Sequence, residues 1–151
     1  MDKFDEYKFF AESTQHLSER RQSATQTYLS INTAIFGLLI FLLKDSGINN
    51  ERLFIFAFPL FLVGIFACWI WYKIIMQYKR LINWRYDQLM EMENQIEECH
   101  QMYIKEKESF FKSISGKEKF GFSRLERHLP QMFMSLYCLY GIGLFLYVLL
   151  K

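Results

Sequence analysis

Polar side chains occur inside the first long apolar run of this 151-residue chain, at Ser30, Asn32 and Thr33. An amide surrounded by hydrocarbon needs a hydrogen-bond partner or water, because burying it without one is costly. Two interpretations follow. The three side chains form hydrogen bonds to a neighbouring helix, or they line the neck of a pore in an assembly of several copies. In a pore, Phe36 and Leu39 would continue the wall as an apolar constriction that gates by dewetting.

A second set of candidate binding residues precedes the last apolar run. Its basic members are Lys112, Lys117, Lys119, Arg124 and Arg127, and four phenylalanines are interleaved with them. Cations beside stackable rings suit phosphates and bases. They equally suit an anionic lipid leaflet next to a membrane span. A lipid contact and a nucleotide or oligonucleotide site therefore both remain open.

Enzymatic and metal chemistry have no comparable support in the sequence. Glu97, Glu98 and His100 are too closely spaced to hold one ion from a single helix face. No nucleophile motif or glycine-rich phosphate loop is present, and the three cysteines lack metal-ligand spacing. We expect no enzymatic activity, no bound metal and no cofactor.

The elements that must position these residues are three apolar runs without a charged residue: Tyr28–Leu43, Leu53–Ile70 and Met132–Leu150. Uncharged runs of about 18 residues or more cross a bilayer core of roughly 30 Å as helices. The charged stretches between them carry helical periodicity. These patterns predict an all-α fold of three transmembrane helices with long cytoplasmic helical extensions.

The predicted boundaries follow from the charges that flank each run. They give a cytoplasmic amphipathic helix (1–27), a first span (28–43), a short periplasmic loop (44–52), a second span (53–76), a cytoplasmic helix with a basic turn (77–129) and a third span (130–151). We expect Pro130 in the first turn of the third span, where proline is tolerated.

The orientation follows from the distribution of Lys and Arg near the span ends. Seven of these residues fall on one side of a three-span arrangement: Arg20, Arg21, Lys79, Arg80, Arg85, Arg124 and Arg127. The positive-inside rule makes that side cytoplasmic. The N-terminus is therefore predicted inside and the C-terminus outside.

The segment after the second span is predicted to continue as one long helix to about residue 112. It contains no Pro or Gly from Gln77 to Phe111. A heptad seam runs through Leu89, Met92, Ile96, Cys99 and Tyr103, with Glu93 among the charged residues off that seam. A lone pair of helices buries such a seam poorly, which favours a homo-oligomer. We expect an assembly of four copies.

Three stretches of the N-terminal part, Tyr7–Glu12, Leu17–Gln22 and Thr27–Ala34, carry a resemblance to a known family. The order of the "SERRQ" patch and the "YLSIN" opening of the first span resembles small bacterial membrane effectors of anti-phage defence loci, such as the membrane effector of the Hailong system. The likeness is strongest over residues 7–40 and concerns only the architecture beyond them.

The resemblance implies a multi-pass protein of the bacterial inner membrane that assembles into an ion channel. A partner nucleotidyltransferase would supply an oligonucleotide or cyclic-nucleotide signal that gates the channel, and opening would depolarise the membrane in abortive infection. Arg20 and Arg21 would lie near the cytoplasmic mouth. The alternative is a structural or adaptor membrane protein that recruits a partner through residues 77–112.

Overall fold

The computed structural model describes residues 3–44, 50–96, 100–111 and 122–150. All the secondary structure in these ranges is helical. The elements are α1 (Lys3–Lys44), α2 (Asn50–Gln95), α3 (Met102–Glu106), a π-helical turn (Lys107–Phe111) and α4 (Phe122–Leu149). The predicted all-α class is confirmed.

Three of the described helices are long and apolar enough to cross a membrane, over Lys3–Leu42, Ile55–Gln95 and Glu126–Leu146. They correspond to the three spans predicted from the uncharged runs. Many of their large apolar side chains are exposed, among them Phe41, Phe66 and Leu139. Water would penalise this exposure, whereas lipid or another copy of the chain would cover it.

The first helix is continuous from the charged N-terminal part into the apolar run, as the absence of Pro and of all Gly except Gly37 suggested. Asp5 and Glu6 in its first turn and Lys44 in its last turn complement the helix dipole. The polar start and the apolar end of α1 therefore belong to one uninterrupted helix.

The second helix also continues beyond its apolar run, but it ends at Gln95 and not near residue 112. Gln101 has a left-handed backbone (φ 48°), and α3 begins directly after it. The Glu93 carboxylate accepts hydrogen bonds from the amides at the start of α3. These amides have no partner within their own helix, so Glu93 stabilises the break that the heptad pattern did not reveal.

The fourth helix begins at Phe122, eight residues before Pro130. The expectation that Pro130 stands in the first turn of the third span is therefore wrong. Pro130 lies in the interior of α4, and its side chain is buried. Proline inside a spanning helix is tolerated when neighbouring groups satisfy the freed carbonyl.

The chain divides into two compact units. We call residues 1–23 with 75–125 the extension unit, and residues 24–74 with 126–151 the span unit. The core of the span unit is apolar and centres on Leu39, Ala57, Phe61 and Tyr137. The buried residues of the extension unit include Ile82 and Leu89, together with polar Thr14 and Glu93.

Candidate functional site

Asn32 of α1 is the centre of a buried polar cluster in the span unit, with 0% of its surface exposed. Its side-chain Oδ1 accepts hydrogen bonds from the Cys68 thiol of α2 and the Tyr137 hydroxyl of α4, each at 3.1 Å. Its Nδ2 donates to the Tyr28 carbonyl at 2.8 Å. One amide therefore connects all three spans, and each such interhelical bond contributes roughly 0.5–2 kcal/mol.

The Tyr137 ring reaches Asn32 because α2 carries a glycine where the ring passes. A Cβ on Gly64 would overlap the Tyr137 ring. Phe36 also stacks on the Tyr137 ring, at a centroid distance of 4.4 Å and an interplanar angle of 16°. Phe36 lies one helical turn after Asn32, so the same face of α1 supplies both contacts.

The five predicted pore residues lie on two different faces of α1. Asn32 and Leu39 are buried within the span unit and Phe36 is half-buried there, whereas Ser30 and Thr33 are exposed. The hydroxyl of Ser30 donates to the Gln26 carbonyl at 3.0 Å, and that of Thr33 to the Leu29 carbonyl at 2.8 Å. For Asn32 the structure therefore shows the interhelical hydrogen bonds that were one of the two interpretations.

One stripe of the exposed surface of α1 is polar, although large apolar side chains such as Leu38 and Ile40 are exposed on the same helix. Gln26, Ser30, Thr33 and Gly37 recur at helical spacing, and all four are exposed. A Cβ on Gly37 would meet no atom within 4 Å. We call these four residues the polar face of α1. Exposed Phe41 lies one turn after Gly37 on the same side of the helix.

The predicted ligand-binding residues are only partly described. Lys112, Lys117 and Lys119 lie outside the described residues, as do Glu97 and Glu98 of the rejected metal set. Arg124 and Arg127 belong to the start of α4, and Arg127 is half-buried. The ligand site in this segment stays a prediction.

Glu93 is a buried polar centre of the extension unit that the sequence pattern did not reveal. Only 1% of its surface is exposed. One carboxylate oxygen accepts from the Tyr7 hydroxyl at 2.9 Å and the Tyr103 amide at 3.1 Å, and the other accepts from the Ile104 amide at 3.2 Å. Leu89 stands four residues before Glu93 and is also buried, so the register of buried positions on α2 could have identified it.

A cleft of about 600 Å³ opens beside this carboxylate in the extension unit. It is lined by Tyr7, Ala11, Met102, Tyr103, Lys105, Glu106 and Ser109. Burial raises the pKa of the Tyr103 phenol, and the neighbouring Tyr86, Glu106 and Glu93 raise it further. The cleft therefore presents a neutral phenol and a mainly apolar wall, with Lys105 and Glu106 as its charged residues.

The described part of the chain contains no candidate metal site. No three His, Cys, Asp or Glu side chains there are close enough to hold one ion. What the described residues offer is a polar helix face, a neutral hydrogen-bond cluster between spans and a cleft at the polar helix ends.

The comparison with curated proteins gave no match, and neither did the comparison with solved structures. The model of the octameric membrane protein family (8xMP) matches residues 4–150. The family description names eight copies, whereas the sequence led us to expect four. Because the match covers nearly the whole chain, including all three spans, this protein belongs to the octameric membrane protein family.

Proposed function

We propose that the protein forms a homo-oligomeric channel in which the polar face of α1 lines the conducting pathway. The channel acts as the effector of an antiviral system, stays shut under a cytoplasmic nucleotide-derived signal and depolarises the inner membrane when it opens. The observation that carries the proposal is the polar face of α1, which points away from the core of the span unit.

The exposed surfaces of the other spans differ from this face. Those of α2 are dominated by large apolar side chains such as Phe56, Leu62 and Phe66, and those of α4 by Leu139 and Phe145. Such surfaces suit lipid tails. Glutamine, serine and threonine side chains in a membrane face a protein interior or water more often than lipid. The polar face of α1 is therefore the best candidate to meet water inside an assembly.

The hydroxyl groups of this face can serve permeating ions. Ser30 and Thr33 donate their protons to carbonyls of their own helix. Their oxygen lone pairs remain available to water and cations. Phe41, one turn after Gly37, supplies a ring that could close the pathway by excluding water.

The family description supports an assembly of eight copies for this chain. If each copy contributes one α1 to a ring, helices about 10 Å apart leave an opening of roughly 16 Å. An opening of that width passes hydrated ions and cannot strip their water in a narrow filter. We therefore expect weak selectivity, with the sign of charge at the pathway deciding between cations and anions.

The antiviral role and the gating signal rest on the resemblance of residues 7–40 to anti-phage membrane effectors. The basic residues Lys112, Lys117, Lys119, Arg124 and Arg127 remain the proposed site for an anionic signal, because they combine positive charge with interleaved phenylalanines. A partner nucleotidyltransferase would make that signal.

Single-channel recording in planar bilayers tests the proposal. Thr33→Glu and Thr33→Lys should shift the reversal potential in opposite directions under a salt gradient, because each places eight like charges along the pathway. Ser135→Lys and Ser135→Glu are the matched controls, since Ser135 is an exposed serine of α4 that also bonds to its own helix. They should leave the reversal potential unchanged.

One outcome would contradict the channel, and another would contradict only its proposed pathway. Purified protein that carries no current in any bilayer would exclude conduction and favour the adaptor alternative. Equal reversal potentials for Thr33→Glu and Thr33→Lys, with conductance retained, would place the pathway elsewhere.

Expression in bacteria without the nucleotidyltransferase should depolarise the cells, as a potential-sensitive dye would report.

A further inference from the structure

Several large apolar side chains are exposed on the extension unit, and three of them lie on α1 and α2 close to one interhelical contact. Phe9 of α1 is 67% exposed, and on α2 Trp84 is 54% and Leu81 is 41% exposed. Single exposed apolar residues are ordinary on protein surfaces, but contiguous ones mark interaction sites.

Contacts between α1 and α2 place these side chains around one interhelical hydrogen bond. The Arg85 guanidinium donates to the Ser13 hydroxyl at 2.7 Å, and it lies 5.5 Å from the Phe10 ring. The Phe10 and Trp84 rings meet edge to face at 6.3 Å. Side chains four residues apart on a helix are neighbours, so Phe9 adjoins Ser13 and Leu81 adjoins Arg85.

The surface formed by Phe9, Phe10, Leu81 and Trp84 is called the aromatic patch. Its members lie among charged residues of the sequence, with Lys8 before Phe9 and Arg80 before Leu81. Trp84 comes eight helical residues after the predicted end of the second span at residue 76, which is about 12 Å along α2. Headgroups extend only about 5–8 Å beyond each side of the hydrocarbon core, so lipid does not cover Trp84.

We infer that the aromatic patch is an interface between copies of this chain, formed outside the membrane and separate from contacts between spans. Together, the exposed parts of its large side chains present roughly 300 Å² of apolar surface to a partner. That is more than a third of the ~800 Å² per partner that a stable interface buries. The family is one of octamers, so a second copy is the occupant that the chain already requires.

The inference does not depend on ion conduction. Copies can associate through the aromatic patch in a channel and equally in a non-conducting scaffold. A failure of the channel recordings would leave this interface untouched, and a failure of the interface would leave the polar face of α1 untouched.

Photo-crosslinking in membranes tests the interface directly. Benzoylphenylalanine replaces Phe9 in the full-length protein, and ultraviolet light then joins it to whatever lies against the patch. We expect a product of twice the monomer mass whose peptides come only from this chain. Trp84→Glu should reduce that product at least fivefold, because it buries a charge against an apolar partner.

Asn83→Glu is the matched control, since Asn83 is an exposed neighbour on the same helix but outside the patch. It should leave the crosslink at its original yield. A product with a different protein or with lipid alone would overturn the inference, as would the absence of any crosslink while native mass spectrometry still shows the oligomer. Equal loss of the product with Asn83→Glu and Trp84→Glu would overturn it as well.

Discussion

Asn32 and Glu93 are buried polar side chains that organise different units, one uncharged and the other acidic. Asn32 in the span unit accepts from a thiol and a phenol of two other helices. Glu93 in the extension unit accepts from a phenol and from two backbone amides at the start of α3. Asn32 thereby connects α1 to α2 and α4, whereas Glu93 connects α2 to α1 and α3.

The difference between them reflects the surroundings of each unit. A charge in hydrocarbon is costly, so a membrane-spanning bundle connects its helices with neutral groups. A carboxylate needs several donors at once, and the free amides of a helix start provide them together with a favourable dipole. The chain therefore uses a neutral side chain between continuous spans and a charged one where α2 ends and α3 begins.

The largest effect should come from Glu93→Ala. It removes the acceptor that the Tyr7 hydroxyl and two partly buried amides share, and we expect a loss of about 3 kcal/mol in the free energy of unfolding of the extension unit. Hydrogen exchange at the amides of Tyr103 and Ile104 should accelerate most. Glu91→Ala, at an exposed position on the same helix, should cost less than about 0.5 kcal/mol. Unchanged exchange at both amides would refute the role of Glu93.

Gly64→Ala should have the next largest effect, in the span unit. The new methyl group overlaps the Tyr137 ring and displaces its hydroxyl from Asn32, at a cost of about 2–3 kcal/mol. Gly37→Ala is the control, because no atom lies near its added methyl group. Unfolding in mixed micelles measures both, and equal stability of the two variants would contradict the close ring contact.

Asn32→Leu should cost about 1–2 kcal/mol, since the Cys68 thiol and the Tyr137 hydroxyl lose their acceptor in an apolar core. Tyr137→Phe should cost less, and the double variant should be less destabilised than the sum of the two single ones. Strict additivity would show that the two residues do not interact. Ser30→Leu, on the exposed face of the same helix, should change stability little.

The smallest expected effect is the pH dependence of the stability of the extension unit. The raised pKa of Tyr103 means that the folded extension unit keeps this phenol protonated above the ordinary tyrosine value of 10.0. Its stabilising contribution is complete below about pH 10 and is lost as the pH rises through the raised pKa. Absorbance of tyrosinate should show tyrosines that titrate late, and Tyr103→Phe should remove one of them from that late phase. Titration of all tyrosines near pH 10 would contradict this.

The three spans and the continuity of α1 were predictable because charge and proline content act locally along a helix. The uncharged runs, flanked by Lys and Arg, correspond to the three long apolar helices. The end of α2 at Gln95 was not predictable from the heptad spacing, since the seam through Tyr103 suits a straight helix equally well. The preference for the break depends on hydrogen bonds that form only when α3 folds back onto Glu93.

The sequence identified Asn32 as a residue of the candidate site, but it did not identify the groups that Asn32 contacts. The cost of a bare amide in an apolar run identified Asn32 as a residue that needs partners. It did not distinguish partners within the chain from water in a pore, because the choice depends on which way α1 faces. Cys68 and Tyr137 gave no separate signal, as single polar side chains in spans are common.

By itself, the sequence determined that this is an α-helical membrane protein with three apolar helices. The reason is that hydrocarbon excludes charged side chains and accepts apolar ones. Which segments can enter it therefore depends only on residue types and their spacing. Only the tertiary structure decided that Asn32 faces inward to Cys68 and Tyr137 while Ser30 and Thr33 face outward. Successive residues of a helix point about 100° apart, so turning a helix about its axis exchanges its inward and outward faces without altering the composition. Which residues face inward therefore depends on the neighbouring helices against which it packs.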